Sequence, residues 1–106
     1  MKIRIADNEL RFRIDAQDLL FLKEKKDLVT AVTLSETPSF KGVLSVRDDL
    51  QLPLVTVAAH SIQLYLPGAE TSRWLANDEN ITLYKNFKLS NSSTFLTVEK
   101  DLPCKH

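Results

Sequence analysis

An amphipathic hairpin pattern opens this 106-residue chain and returns 52 positions later. Ile3 and Ile5 alternate with Lys2 and Arg4, and Leu10, Phe12 and Ile14 alternate with Arg11 and Arg13. A period of two sends successive side chains to opposite faces, so both runs read as half-buried strands. Asp7-Asn8 between them suits a tight turn, because both residues tolerate positive φ. Such a turn sets Ile5 opposite Leu10 and Ile3 opposite Phe12, and on the other face Arg4 opposite Arg11 and Lys2 opposite Arg13. Val55, Val57, Ile62, Leu64 and Leu66 renew the alternation, with Thr56, Gln63 and Tyr65 between them.

A helix should follow each hairpin. Asp15 is a good N-cap, Asp18 completes an acidic capping box, and Leu19, Leu20 and Leu22 supply an apolar stripe that Phe21 widens toward solvent. Lys23, Lys25 and Lys26 favour the C-terminal end of the helix dipole. After the second hairpin, Pro67-Gly68 turns into a short helix carrying Trp74, Leu75 and Ala76. Residues 28–34, 40–46, 81–89 and 94–98 read as further strands. The chain thus reads as α+β: two ββαββ pseudo-repeats, about residues 1–48 and 53–100, forming a curved, mainly antiparallel sheet or open barrel with two short helices. Ile3, Ile5, Val55 and Val57 are expected to line one shared interior.

Size predicts a single domain over 1–106 that builds a core without staples. Lys+Arg and Asp+Glu both number 14, a balance that argues against nonspecific nucleic-acid binding. A lone cysteine, Cys104, excludes an internal disulfide. The N-terminus lacks the apolar stretch of a signal peptide, and no run suits a bilayer, so a cytoplasmic location is the default expectation.

Four cations, Lys2, Arg4, Arg11 and Arg13, share one face of the first hairpin. Like charges opposite one another destabilise paired strands, so solvent, acidic neighbours or a bound anion must offset them. The corresponding positions of the second hairpin, Leu54, Thr56, Gln63 and Tyr65, are uncharged. The face reads either as a site for an anionic ligand or acidic partner, or as a solvated face paired with Glu99 and Asp101. Cys104 with His106 makes a poor metal or nucleophile pair, since the only other histidine is His60 and a chain end positions groups badly. Trp74 reads as core, and Tyr65 and Tyr84 as borders of a surface. Two glycines, Gly42 and Gly68, cannot build a phosphate loop, and the sequence has no G-x-S-x-G or H-E-x-x-H motif. No catalytic residue, metal ligand or cofactor is therefore assigned.

Met1-Lys2-Ile3-Arg4-Ile5, Asn8 and Leu10-Arg11-Phe12-Arg13-Ile14 resemble the opening of a family of small uncharacterised bacterial proteins. Val98-Glu99-Lys100-Asp101 with Cys104 resembles that family's ending, which reads like E-K-D-F-A-C, and Leu66-Pro67 through Trp74 and Asp78 is similar as well. Leu102-Pro103 replaces the usual Phe-Ala, and Asp7 stands where Gly is common, so neither tail packing nor turn type carries over. The resemblance implies a stand-alone bacterial domain with no activity to transfer. It further implies that Arg4, Arg11, Arg13, Glu99 and Asp101 form one ion-pair network, structural or lining a site.

Three functions compete. The first is a non-enzymatic binding module using the basic face. The second is an enzyme of unfamiliar type, in which Arg4, Arg11 and Arg13 hold an anionic substrate and Glu99 or Asp101 acts as acid/base. The third is a subunit of a homodimer joined through a strand edge or the Phe21 helix.

Overall fold

The first hairpin forms in the register its side chains dictate. In the computed structural model, which describes residues 1–33, 38–90 and 92–102, β1 (Lys2–Ala6) pairs antiparallel with β2 (Glu9–Asp15). Asp7 and Asn8 make the turn with φ of 50° and 62°, the left-handed geometry that matches strand twist. Asp15 then caps α1 (Ala16–Lys25), its carboxylate accepting from the Asp18 N–H at 2.9 Å. Asp18 does not close a capping box; its own carboxylate meets the Met1 amine. Lys26, with φ of 60°, ends the helix and donates its N–H to the Leu22 carbonyl.

The chain continues through β3 (Asp27–Thr33), β4 (Pro38–Arg47), β5 (Leu54–Ala58), β6 (Ser61–Pro67), α2 (Gly68–Ala76), β7 (Thr82–Lys88) and β8 (Phe95–Asp101). The strand expected over residues 94–98 extends to Asp101. The fold is α+β, with two helices and eight strands among the described residues. Its ladders divide into two four-stranded sheets, ordered β1-β2-β8-β7 and β3-β4-β6-β5. Each sheet joins one hairpin from either half of the chain, through the parallel pairs β2–β8 and β4–β6. The sequence suggested one curved sheet or an open barrel. It could not reveal this exchange, because alternation marks a strand's faces and not its neighbours.

The four central strands supply most of the core: Leu10, Phe12 and Ile14 from β2, Leu44 from β4, Ile62, Leu64 and Leu66 from β6, and Leu96 and Val98 from β8. Leu19, Leu22, Trp74 and Leu75 from the helices, with Leu28 of β3, Tyr84 of β7 and Leu89, complete it. Ile3 and Val55 pack against this cluster. Ile5 and Val57, expected beside them, are 64% and 76% exposed. Both lie on edge strands and line open grooves, Ile5 facing β3 and Val57 facing Leu89, so one side of each stays open. At Gly42 an added Cβ would press on Ile3 Cδ1, the movable tip of a side chain from the neighbouring sheet's edge strand.

Candidate functional site

Register builds a charged ladder on one face of the first sheet. Arg4 opposes Arg11 and Lys2 opposes Arg13, as the turn required. On the other side of β2, parallel β8 brings Glu99 beside Arg13 and Asp101 beside Asp15. Arg13 reaches Glu99 through Nε at 3.4 Å and donates from Nη2 to Asp101 Oδ1 at 3.0 Å. Lys2 Nζ lies 3.3 Å from Asp101 Oδ2. Arg11 lies between Glu9 at 3.3 Å and Glu99 at 3.9 Å. Its buried Nε approaches Glu9 without the alignment of a hydrogen bond. Three carboxylates thus meet three of the four cations, and Arg4 is exposed with no ion-pair partner among the described residues. Each such surface pair contributes at most about 1 kcal/mol; the main effect is to cancel the repulsion built into the hairpin.

A second site lies at the end of this ladder. Along β8 the alternation Leu96, Val98, Lys100 points inward, which carries a lysine onto the core face. Lys100 is only 5% exposed. Its Nζ donates to the carbonyls of Trp74 at 2.8 Å and Asn77 at 2.7 Å, and sits 5.3 Å from the centre of the Trp74 ring. The lysine therefore closes the C-terminal turn of α2, where last-turn carbonyls lack helical partners. Trp74 is held in turn by its Nε1 donating to the Ile81 carbonyl at 3.1 Å. Burial holds the Lys100 pKa below the ordinary lysine value; nearby Asp78 opposes that shift and Lys23 adds to it. The matching position in the other sheet, Val46 opposite Leu66, is aliphatic where Lys100 opposes Ile14. The ammonium at the end of α2 therefore has no counterpart in the other sheet.

Over Lys100 opens a cleft of about 600 Å³, lined by Arg13, Lys23 and Asp78 and floored by Leu19, Leu75, Ile81 and Leu102. Two of the three ammonium donors of Lys100 are used by carbonyls. Arg13 belongs to both the ladder and the cleft, so the two sites share a residue.

Of the six site residues chosen from sequence, the structure brings Lys2, Arg11, Arg13, Glu99 and Asp101 into one network, and sets Arg4 at its edge. Lys100, Lys23 and Asp78 were missed. Extending the period-two pattern past Val98 would have found Lys100, because it falls in line with Leu96 and Val98. Tyr84, expected at the surface, is buried. Its hydroxyl donates to Glu70 at 3.3 Å, and its ring meets Phe87 edge-on at 5.1 Å. Burial, with the Glu70 charge second, pushes its pKa up to about 12. Cys104 and His106 lie outside the described residues. Among the described residues no helix is long and apolar enough to cross a membrane.

A family of unknown function (DUF7009) has a model that matches residues 1–106. Neither the curated proteins nor the solved structures contain a match to the chain.

Proposed function

The chain belongs to this family of unknown function, and from that premise and its own geometry we propose that it is a small binding module whose ligand is an amphipathic anion held in the Lys100 cleft. The carrying observation is a lysine buried where the equivalent strand position holds Val46, beneath a cleft whose rim holds Arg13, Lys23 and Asp78 and whose floor is aliphatic. Burying an ammonium costs stability unless its donors are satisfied. Two carbonyls satisfy Lys100 in part, and an anionic head group would take the donor that remains. Lys23 adds charge at the rim, where Arg13 is already paired with Glu99 and Asp101, while Leu19, Leu75, Ile81 and Leu102 would cover an apolar body. The ladder is the weaker candidate, because Glu9, Glu99 and Asp101 already occupy its arginines.

We read the fold beneath this site as a duplication. Two features support the reading. The hairpins β1–β2 and β5–β6 share one register at an offset of 52. The bonds from Phe95 N–H to Asn8 carbonyl and from Lys41 N–H to His60 carbonyl occupy matching places, both at 2.8 Å. Apolar grooves between β1 and β3 and beside β5 and Leu89 are consistent with two sheets forming an open barrel split along two seams. On this reading the ligand site arises where the two units differ.

Trp74 is the only tryptophan, and the Lys100 ammonium of the cleft sits 5.3 Å from its ring centre, so its fluorescence reports on Lys100. Titration with octyl phosphate should give a saturable change. Octanol and inorganic phosphate alone should bind much more weakly. Lys23→Glu and Lys100→Met should each weaken octyl phosphate binding about tenfold or more, the scale of one lost charge-assisted hydrogen bond. No saturable change, or equal binding of octanol, would refute the proposal. Lys23 is exposed, so its variant keeps the test valid if Lys100→Met does not fold.

A further inference from the structure

Four strands end the two sheets: β1 and β7 in one, β3 and β5 in the other. β1 carries Lys2 and Arg4 and β7 carries Lys85 and Lys88, while β3 carries only Asp27 at its first residue and lines a groove with β1 through Thr30, Ala31 and Val32. Charged side chains are a common guard against edge-to-edge pairing. β5, Leu54-Val55-Thr56-Val57-Ala58, carries none. Its exposed side chains include Leu54 and Val57, and Leu52 just before it is exposed too.

From this unguarded edge we infer that the protein forms a symmetric homodimer through antiparallel pairing of β5 with β5 of a second copy. The hairpin geometry fixes the register. Ala58 and Ser61 flank the two-residue turn Ala59-His60 and so form a hydrogen-bonded pair, as do Thr56 with Gln63 and Leu54 with Tyr65. Val55 and Val57 therefore turn their own N–H and C=O groups outward, where no strand pairs with them among the described residues. A two-fold axis at Thr56 sets Val55 of one copy against Val57 of the other, twice, and sets Thr56 against Thr56. Every outward backbone group of Val55 and Val57 then finds a partner, and Val57 gains apolar cover. The result is one continuous eight-stranded sheet from two four-stranded ones.

The same construction on β1 explains why the partner is a second copy meeting β5. Ile3 and Ile5 are the outward-facing residues there, so a two-fold axis falls on Arg4 and sets Arg4 against Arg4. Like charges in direct opposition disfavour that pairing. Thr56 at the matching position of β5 is neutral, and its hydroxyl is already engaged with Gln63 Oε1 at 2.9 Å. Self-pairing of β5 thus brings no like charges together across the seam.

Sedimentation equilibrium over a wide concentration range tests this. Wild-type protein should show reversible dimerisation. Thr56→Arg and Thr56→Asp should each weaken self-association about tenfold or more, since each sets like charges on the axis. An equimolar mixture of the two variants should dimerise again, because Arg then faces Asp. That recovery also shows both variants to be folded. Arg4→Thr should leave the association unchanged. A wild-type monomer at every concentration, variants that dimerise like wild type, failure of the mixture to recover, or disruption by Arg4→Thr would each overturn the inference. The ligand proposal stands or falls separately, because octyl phosphate binding is read at Trp74.

Discussion

Tyr84 carries the clearest single-residue consequence of how this core is built. Its ring is buried against Phe87 and its hydroxyl reaches Glu70 at 3.3 Å. Both burial and the Glu70 carboxylate oppose ionisation, so the folded phenol titrates near 12 against an ordinary value of 10.0. The sign follows from linkage. Between those values the unfolded chain has released this proton and the folded chain has not, so stability falls as pH rises from 10.0 toward about 12. Tyr84→Phe should remove that component. Urea unfolding at successive alkaline pH values should show wild type losing stability faster than Tyr84→Phe. Parallel decline of the two would mean the phenol is not shielded. At neutral pH the variant should be less stable by about 1 kcal/mol, the scale of one hydrogen bond.

At the scale of elements, each helix is bounded by a specific device, and the two devices differ in how far the sequence shows them. The start of α1 was legible: Asp15 precedes the apolar stripe and caps as such a residue should. Its bond from the Asp18 N–H holds the Asp15 carboxyl below its ordinary 3.8. Folded pKa is lowered here, so the cap's contribution is present above that ordinary value and is lost as pH falls through the folded one. Asp15→Ala should therefore cost about 1 kcal/mol at neutral pH. Asp15→Asn should keep most of that capping while losing its acid sensitivity. Thermal melts of the three proteins at neutral and strongly acidic pH compare them; equal acid loss in Asp15→Asn and wild type would contradict the assignment. The end of α2 was not legible. Its carbonyls are met by Lys100, a residue 26 positions beyond Trp74, and local propensity carries no record of a partner that distant. The residue type also misleads, because lysine is rarely buried. Only the strand's alternation, followed two residues further, marks it as inward.

At the scale of the molecule, hydrophobic alternation marked the buried faces of β2 and β6 but failed at Ile5 and Val57 of the edge strands, and turn chemistry fixed the first hairpin's register to the residue. Strand order was beyond both. That β2 lies beside β8 and β4 beside β6 depends on long-range docking of amphipathic hairpins, and any such hairpin offers the same greasy face to several partners. The consequence for function is direct. Placing β8 beside β2 supplies Glu99 and Asp101 to the arginines of the hairpin. The same placement carries Lys100 inward, over Trp74. The basic face that dominates the sequence is largely neutralised in the fold by Glu9, Glu99 and Asp101, and the proposed ligand site lies instead in the Lys100 cleft. Side-chain and backbone NMR during titration with octyl phosphate decides between them. The account predicts shifts centred on Lys100, Trp74, Leu75, Leu19 and Ile81, with Arg4 and Lys2 nearly still. Shifts centred on Arg4 and Lys2 with Lys100 undisturbed would contradict it.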